Sequence, residues 1–224
     1  MTLDRDADLA AEPTVPRLLV MDVDSTLITG EVIELLAAHA GALELVTEIT
    51  ERAMRGEIDF AESLHERVAT LAGLPTSVLD DVRAQLELSP GARELITEVQ
   101  RRGWHVGLVS GGFIELVGPL ADSLGISLTR ANALEVADGL LTGRVSGPVV
   151  DRAAKAVALR DYAALVGAAL EHTVAIGDGA NDLDMLAVAG FGIAFNAKPV
   201  VAAQADAVLT DRLDAALDLA PLRA

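Results

Sequence analysis

The segment RLLVMDV (17–23) is an apolar run that stops abruptly at Asp24-Ser25-Thr26. No other stretch limits the fold as tightly. An unbroken apolar run of strand length fits a strand covered on both faces, as in a parallel sheet. Comparable runs recur in WHVGLVS (104–110), HTVAIGD (172–178) and FGIAF (191–195). Helical patterns at about 91–102, 113–124, 151–168 and 180–188 separate them. A short strand near 127–131, a hairpin over 133–145 turning at Asp138-Gly139, a last strand ADAVL and a helix from Asp211 complete the order. Strands alternating with helices predict an α/β fold: a three-layer, Rossmann-like sandwich with a mostly parallel sheet.

Residues 31–87 break this alternation. VIELLAAHA (32–40), LELVTEITERAMR (43–55) and FAESLHERVATLAG (60–73) carry apolar residues at three- and four-residue spacing, and a fourth helix follows Pro75 at about 76–86. Gly41, Gly56 and Gly73-Leu74-Pro75 punctuate them as stop signals. The expected organisation is a flexible tail over 1–16, an α/β core from 17–30 and 88–224, and an all-helical cap over 31–87. Open parallel sheets bind ligands at the carboxyl ends of their strands, so helices inserted there would act as a lid.

Charge narrows the partners. With 34 acidic against 17 basic residues the formal net charge is −17. Such a surface repels nucleic acid and anionic lipid and favours cations. An anionic substrate would need local positive charge. The absence of cysteine excludes disulfides, Cys-zinc sites and thiol catalysis, and the four histidines are scattered without metal-ligand spacing. The uncharged stretch 185–197 is only 13 residues long and contains Gly190, Gly192 and Asn196, too short to span a bilayer. The first residues lack the basic start and apolar run of a signal peptide. A cytoplasmic protein without membrane partners is expected, and monomer and dimer both stay open.

Chemistry is expected at the strand ends. Asp22 and Asp24 close the first run, Ser110-Gly111-Gly112 the second, and Asp178 a later one; Lys155 lies near the start of the 151–168 helix. Strand periodicity would set Asp22 and Asp24 on one face. Asp and Ser are also turn formers, and Asn181 or Asp182 could cap a helix. Capping does not explain three acids at one sheet edge, and a carboxylate within an apolar run is costly without a compensating cation or donors. An all-oxygen site of few protein ligands is the Mg²⁺ pattern. Glycines after a strand let backbone N–H groups approach a phosphate, and a lysine would neutralise it; a simple strand-to-helix turn and an exposed helix lysine are the plain alternatives. There is no P-loop, no GxSxG elbow, and GDGAND (177–182) starts like GxGxxG but ends in an acid.

In order and spacing, Asp22-Val23-Asp24-Ser25-Thr26, Ser110-Gly111-Gly112, Lys155 and Gly177-Asp178-Gly179-Ala180-Asn181-Asp182 resemble the haloacid dehalogenase-like phosphatases. The resemblance runs from 17 to about 210, and the nearest branch acts on phosphoserine. It implies Asp22 as nucleophile, Asp24 as general acid and base, and Mg²⁺ held by Asp22, Asp178 and the backbone carbonyl of Asp24. It implies Ser110, Gly111 and Lys155 around the phosphate, Asn181 beside it, and Asp182 behind the metal. In the lid, Glu31 and Arg67 would grip the amino and carboxylate groups of phosphoserine, with Met54 and Phe60 as apolar contacts. Read as residues alone, Glu31 is also a helix-start acid, Arg67 a solvated helix arginine, and Met54 and Phe60 core residues. A phosphotransferase to an alcohol such as homoserine, or a phosphatase for another small monoester, would use the same scaffold. The acidic tail 1–16 has no counterpart in this pattern.

Overall fold

The computed structural model describes residues 15–54 and 57–223; the side chain of Met54 and most of the predicted tail, residues 1–14, lie outside the described residues. The described strands form a seven-stranded sheet in the order β4-β3-β2-β1-β5-β6-β7. These are β1 (Leu18–Met21), β2 (His105–Phe113), β3 (Leu128–Ala137), β4 (Leu140–Ser146), β5 (Thr173–Gly177), β6 (Phe191–Phe195) and β7 (Ala207–Leu209). All neighbours are parallel except β3 and β4. β1 is central, with Leu18 opposite both His105 and Thr173.

Burial of β1 on both sides explains its unbroken apolar run. Leu19 and Met21 face one layer, where α5 (Ala92–Arg101) and α6 (Ile114–Ser123) pack. Leu18 and Val20 face the other, with α7 (Arg152–Val166) and α8 (Leu183–Val188). The period of two along a strand divides the residues between the layers. Gly107 lets α7 lie close on β2: a Cβ there would sit 2.6 Å from the Tyr162 ring.

The insertion is helical, as its spacing predicts: α1 (Val32–His39), α2 (Leu43–Met54), α3 (Phe60–Ala69) and α4 (Val78–Arg83). Its apolar stripes, including Leu36, Val46, Leu64, Val68 and Val78, join the hydrophobic cluster that covers one face of the sheet. The two crossings to the core pair with each other, Thr29 N–H donating to the Glu87 carbonyl at 3.0 Å and Ser89 N–H to that of Leu27 at 2.9 Å. A second tether comes from the β3–β4 hairpin. Gly73 N–H donates to Leu141 O and Leu141 N–H to Leu74 O, both at 2.8 Å, and Thr76 N–H to Gly139 O at 2.9 Å.

Two details depart from the sequence reading. The strand near 127–131 and the first hairpin arm are one strand, β3, because the polar Asn132 between them is buried and hydrogen-bonded rather than a break. The final helix is a 3-10 helix, Leu213–Asp218, preceded by the unpredicted short α9 (Pro199–Ala202). Leu213 and Ala216 bury three residues apart, which suits three residues per turn. Among the described residues no helix is long and apolar enough to cross a membrane.

Candidate active site

β1 ends at Met21, and Asp22 extends it by one residue, its N–H donating to Ile176 O at 2.9 Å. The chain then coils into one π-type turn, Val23–Leu27, in which Asp24 stays extended and Ser25 takes a left-handed φ of 57°. Asp24 therefore reaches the site through a turn, not through the strand periodicity expected from the sequence. Its Oδ1 accepts from Val32 N–H at 2.9 Å and its Oδ2 from the Ser110 hydroxyl at 3.0 Å. Gly112 makes room: a Cβ there would stand 2.6 Å from Asp24 Oδ2.

Asp178 follows β5, and the Thr26 hydroxyl donates to its Oδ1 at 3.1 Å. Asp182 ends the 3-10 turn Ala180–Asp182 and is fully buried. Its Oδ2 accepts from the amides of Asp178 and Gly179, at 3.2 and 3.0 Å. Its Oδ1 accepts from Lys155 Nζ at 2.6 Å. Gly177 is needed beneath it, since a Cβ there would lie 2.5 Å from Asp182 Cγ. Lys155 projects from the first turn of α7, is fully buried, and also donates to Asp22 Oδ1 at 2.7 Å. One ammonium thus holds two carboxylates.

Asp22, Asp178 and Asp182 each offer an oxygen within 4.8 Å of the others. Three carboxylates so close, with one buried lysine among them, are short of positive charge. Burial and then Asp182 push the Asp22 carboxyl well above its ordinary range, although Lys155 opposes this. Burial, then Glu31, lifts Asp24 to about 7; burial, then Asp182, lifts Asp178 to about 6. Burial acts to lower the Lys155 pKa, but Asp182 and Asp22 outweigh it and hold the ammonium above its usual value. The donor set, all hard oxygen, fits a divalent cation. Asp182 has both oxygens committed to Lys155 and the backbone, so Asp22 and Asp178 are the carboxylates left to meet one.

This electrostatic shortage has a measurable sign. Asp22, Asp24 and Asp178 bind protons more tightly folded than unfolded, where a carboxyl titrates near about 3.9. Their contribution to stability is full below that value and is lost as pH rises through the folded values of about 6 and about 7. Chelator-treated protein should therefore melt at a higher temperature near about pH 5.5 than near about pH 8. Added divalent cation should narrow the difference, because it replaces the protons. Thermal melts in both buffers check this; a midpoint climbing with pH in chelator would count against it.

Above the acids lies a pocket of about 740 Å³ between the sheet edge and the inserted helices, lined by Asp22, Asp24, Glu31, Phe60, Arg67 and Asp178 among others. Gly111 and Asn181 also line it. Ser110 and Lys155 are fully buried behind it, Ser110 bridging Asp24 and the Gly112 amide. Glu31 accepts from the Ser25 hydroxyl at 2.8 Å. Half-buried Arg67 is held by Nε to Ser63 O at 3.2 Å; burial lowers its pKa, and Glu31, Asp24 and Glu34 oppose that. The Phe60 ring meets the Ser110-Gly111-Gly112 turn, 3.0 Å from where a Gly111 Cβ would be. Of the expected residues, Met54 has its side chain outside the described residues. The sequence reading missed Ser25 and Thr26 as holders of Glu31 and Asp178. Two hydroxyl residues directly after an acidic pair were the available signal.

The model of haloacid dehalogenase-like hydrolases matches residues 19–187. A phosphoserine phosphatase of Mycobacterium tuberculosis is 61% identical over 87% of this chain and 47% of its own length. Another, of Streptomyces coelicolor, is 62% identical over 83% of this chain and 45% of its own. The chain thus spans about half the length of these two relatives. A third, of Streptococcus thermophilus, is 55% identical over 88% of this chain and 92% of its own length. The solved structure of a phospho-aspartyl intermediate analogue of phosphoserine phosphatase superposes with a TM-score of 0.86 at 40% identity, covering 91% of this chain and 98% of that one. Fold and sequence converge, and the chain belongs to the haloacid dehalogenase-like hydrolase family.

Proposed function

We propose that the chain hydrolyses O-phospho-L-serine to serine and phosphate through a phosphoryl group carried on Asp22. The observation that carries this is the buried Asp22 carboxylate, fixed by Lys155 beside Asp178 on the wall of a pocket that also holds Glu31 and Arg67. Relatives named phosphoserine phosphatases at 55–62% identity support the substrate. In this reading 31–87 is the lid, 17–30 with 88–224 is the catalytic core, and Mg²⁺ is the cation.

An Asp22 oxygen attacks phosphorus in line as the bond from phosphorus to the seryl oxygen breaks. Asp24, protonated, gives its proton to that oxygen; its raised pKa suits the task. Water then attacks the phosphoryl group on Asp22, Asp24 takes the proton, and the bond from Asp22 to phosphorus breaks. Lys155 and the Gly111 amide offset phosphoryl charge, and Asn181 lies beside it. Asp22, Asp178 and the Asp24 backbone carbonyl would hold Mg²⁺, which when bound neutralises the repulsion between nucleophile and phosphate. Asp182 keeps Lys155 and the Asp178 loop in place. Glu31 faces the substrate ammonium and Arg67 its carboxylate. Phe60, against Gly111, closes the site to water, with Met54 assigned to the same lid.

Phosphate release from L-phosphoserine against a panel of small monoesters, with Mg²⁺ and with chelator, tests this. Turnover of phosphoserine should be strongest and should vanish in chelator. Glu31→Gln and Arg67→Ala should each raise KM for phosphoserine by roughly tenfold or more. Their effect should be far smaller on a monoester lacking the matching group. An unchanged preference in both variants would remove phosphoserine as the substrate while leaving a phosphatase.

A further inference from the structure

Asn132 is polar, 2% exposed and in the middle of β3, and no role above uses it. β2 and β3 pair in register from Gly107↔Leu128 to Val109↔Arg130 and resume at Phe113↔Asn132. Four steps along β2 are matched by two along β3, so Ser110-Gly111-Gly112 bulges out of the ladder. A buried bulge leaves backbone groups that need other partners. Asn132 supplies one: its Nδ2 donates to the Gly111 carbonyl at 2.7 Å. Its Oδ1 accepts from the Val150 amide at 2.8 Å. Val150 precedes Asp151, the N-cap of α7, which accepts from Ala154 N–H through its side chain and from Lys155 N–H through its carbonyl.

One amide side chain therefore joins the turn carrying Gly111 to the start of the helix carrying Lys155. The task needs a donor and an acceptor on one short planar fork, which among side chains of this length only asparagine has. We propose that Asn132 is a positioning residue that sets the spacing between the Gly111 backbone and the Lys155 ammonium, and hence the affinity of the site for a phosphoryl group. The inference rests on the reading that those two groups hold phosphate.

Asn132→Leu and Asn132→Ala remove both bonds without touching the pocket wall. Each is assayed with Mg²⁺ at a temperature where circular dichroism shows it folded. The competitive inhibition constant of inorganic phosphate and KM for phosphoserine should both rise by about tenfold or more. A merely structural role lowers the active fraction, and so the apparent kcat, at unchanged KM and unchanged inhibition constant; that result overturns the proposal. Should neither variant fold, the parent protein still decides. Saturating phosphate with Mg²⁺ should slow hydrogen exchange at the Val150 amide, and exchange indifferent to phosphate overturns the coupling. A parent protein that neither releases phosphate nor is inhibited by it marks the failure of the proposed function instead.

Discussion

Asp22→Asn should abolish turnover while leaving the fold intact or firmer. The substitution keeps the shape and one oxygen that can accept from Lys155, but removes the carboxylate proposed as the nucleophile. Loss of a covalent nucleophile costs several orders of magnitude in related chemistry, so kcat should fall by roughly 10³-fold or more. The same change removes one negative charge from a cluster in which burial and neighbouring acids already oppose ionisation. The thermal midpoint of the chelated variant should therefore equal or exceed that of the parent. This pairing separates a reacting group from a structural one, because an inactive, less stable variant would be explained by misfolding alone. Phosphate release together with a melting curve provides both readings, and activity within about tenfold of the parent would refute the assignment of Asp22.

Lys155→Met should do the reverse to stability. The lysine is fully buried and lies 2.7 Å from Asp22 and 2.6 Å from Asp182. Methionine fills similar space but leaves two buried carboxylates without their shared cation. Breaking a buried pair by removing one partner costs about 3–5 kcal/mol, or a midpoint lower by roughly 10 °C in a chain of this size. Activity should fall as well, because Asp22 loses the contact that orients it. Adding Asp182→Asn to Lys155→Met should recover part of the lost stability, since it removes one of the stranded charges. A Lys155→Met protein as stable as the parent would show that solvent or backbone, not the ammonium, satisfies these acids.

Most of the scaffold is legible in the sequence because burial writes it there. β1 lies between two packed layers, so its four residues are apolar on both faces. The inserted helices bury one stripe each, so their spacing shows. The cluster of Asp22, Asp178 and Lys155 is legible as residue types at strand ends. What the sequence does not show is how backbone and side chains close the site. Ser25 is not glycine, yet it adopts a φ of 57°, and no composition rule signals that. Lys155 sits in a helix among alanines, where an exposed lysine looks the same as a buried one. Asn132 resembles a strand break for the same reason: a polar residue that is fully satisfied inside the protein leaves the pattern of one that faces water.

The Asp138-Gly139 turn bears on how the molecule can be altered. Tight turns between exposed strand ends are customary places for added tags or extra residues. Here Gly139 and Leu141 spend their backbone groups on the segment 73–76, the link between α3 and α4. Lengthening this tip would unfasten those helices from the sheet. An epitope grafted at position 138 should therefore disturb the inserted helices as well as the hairpin.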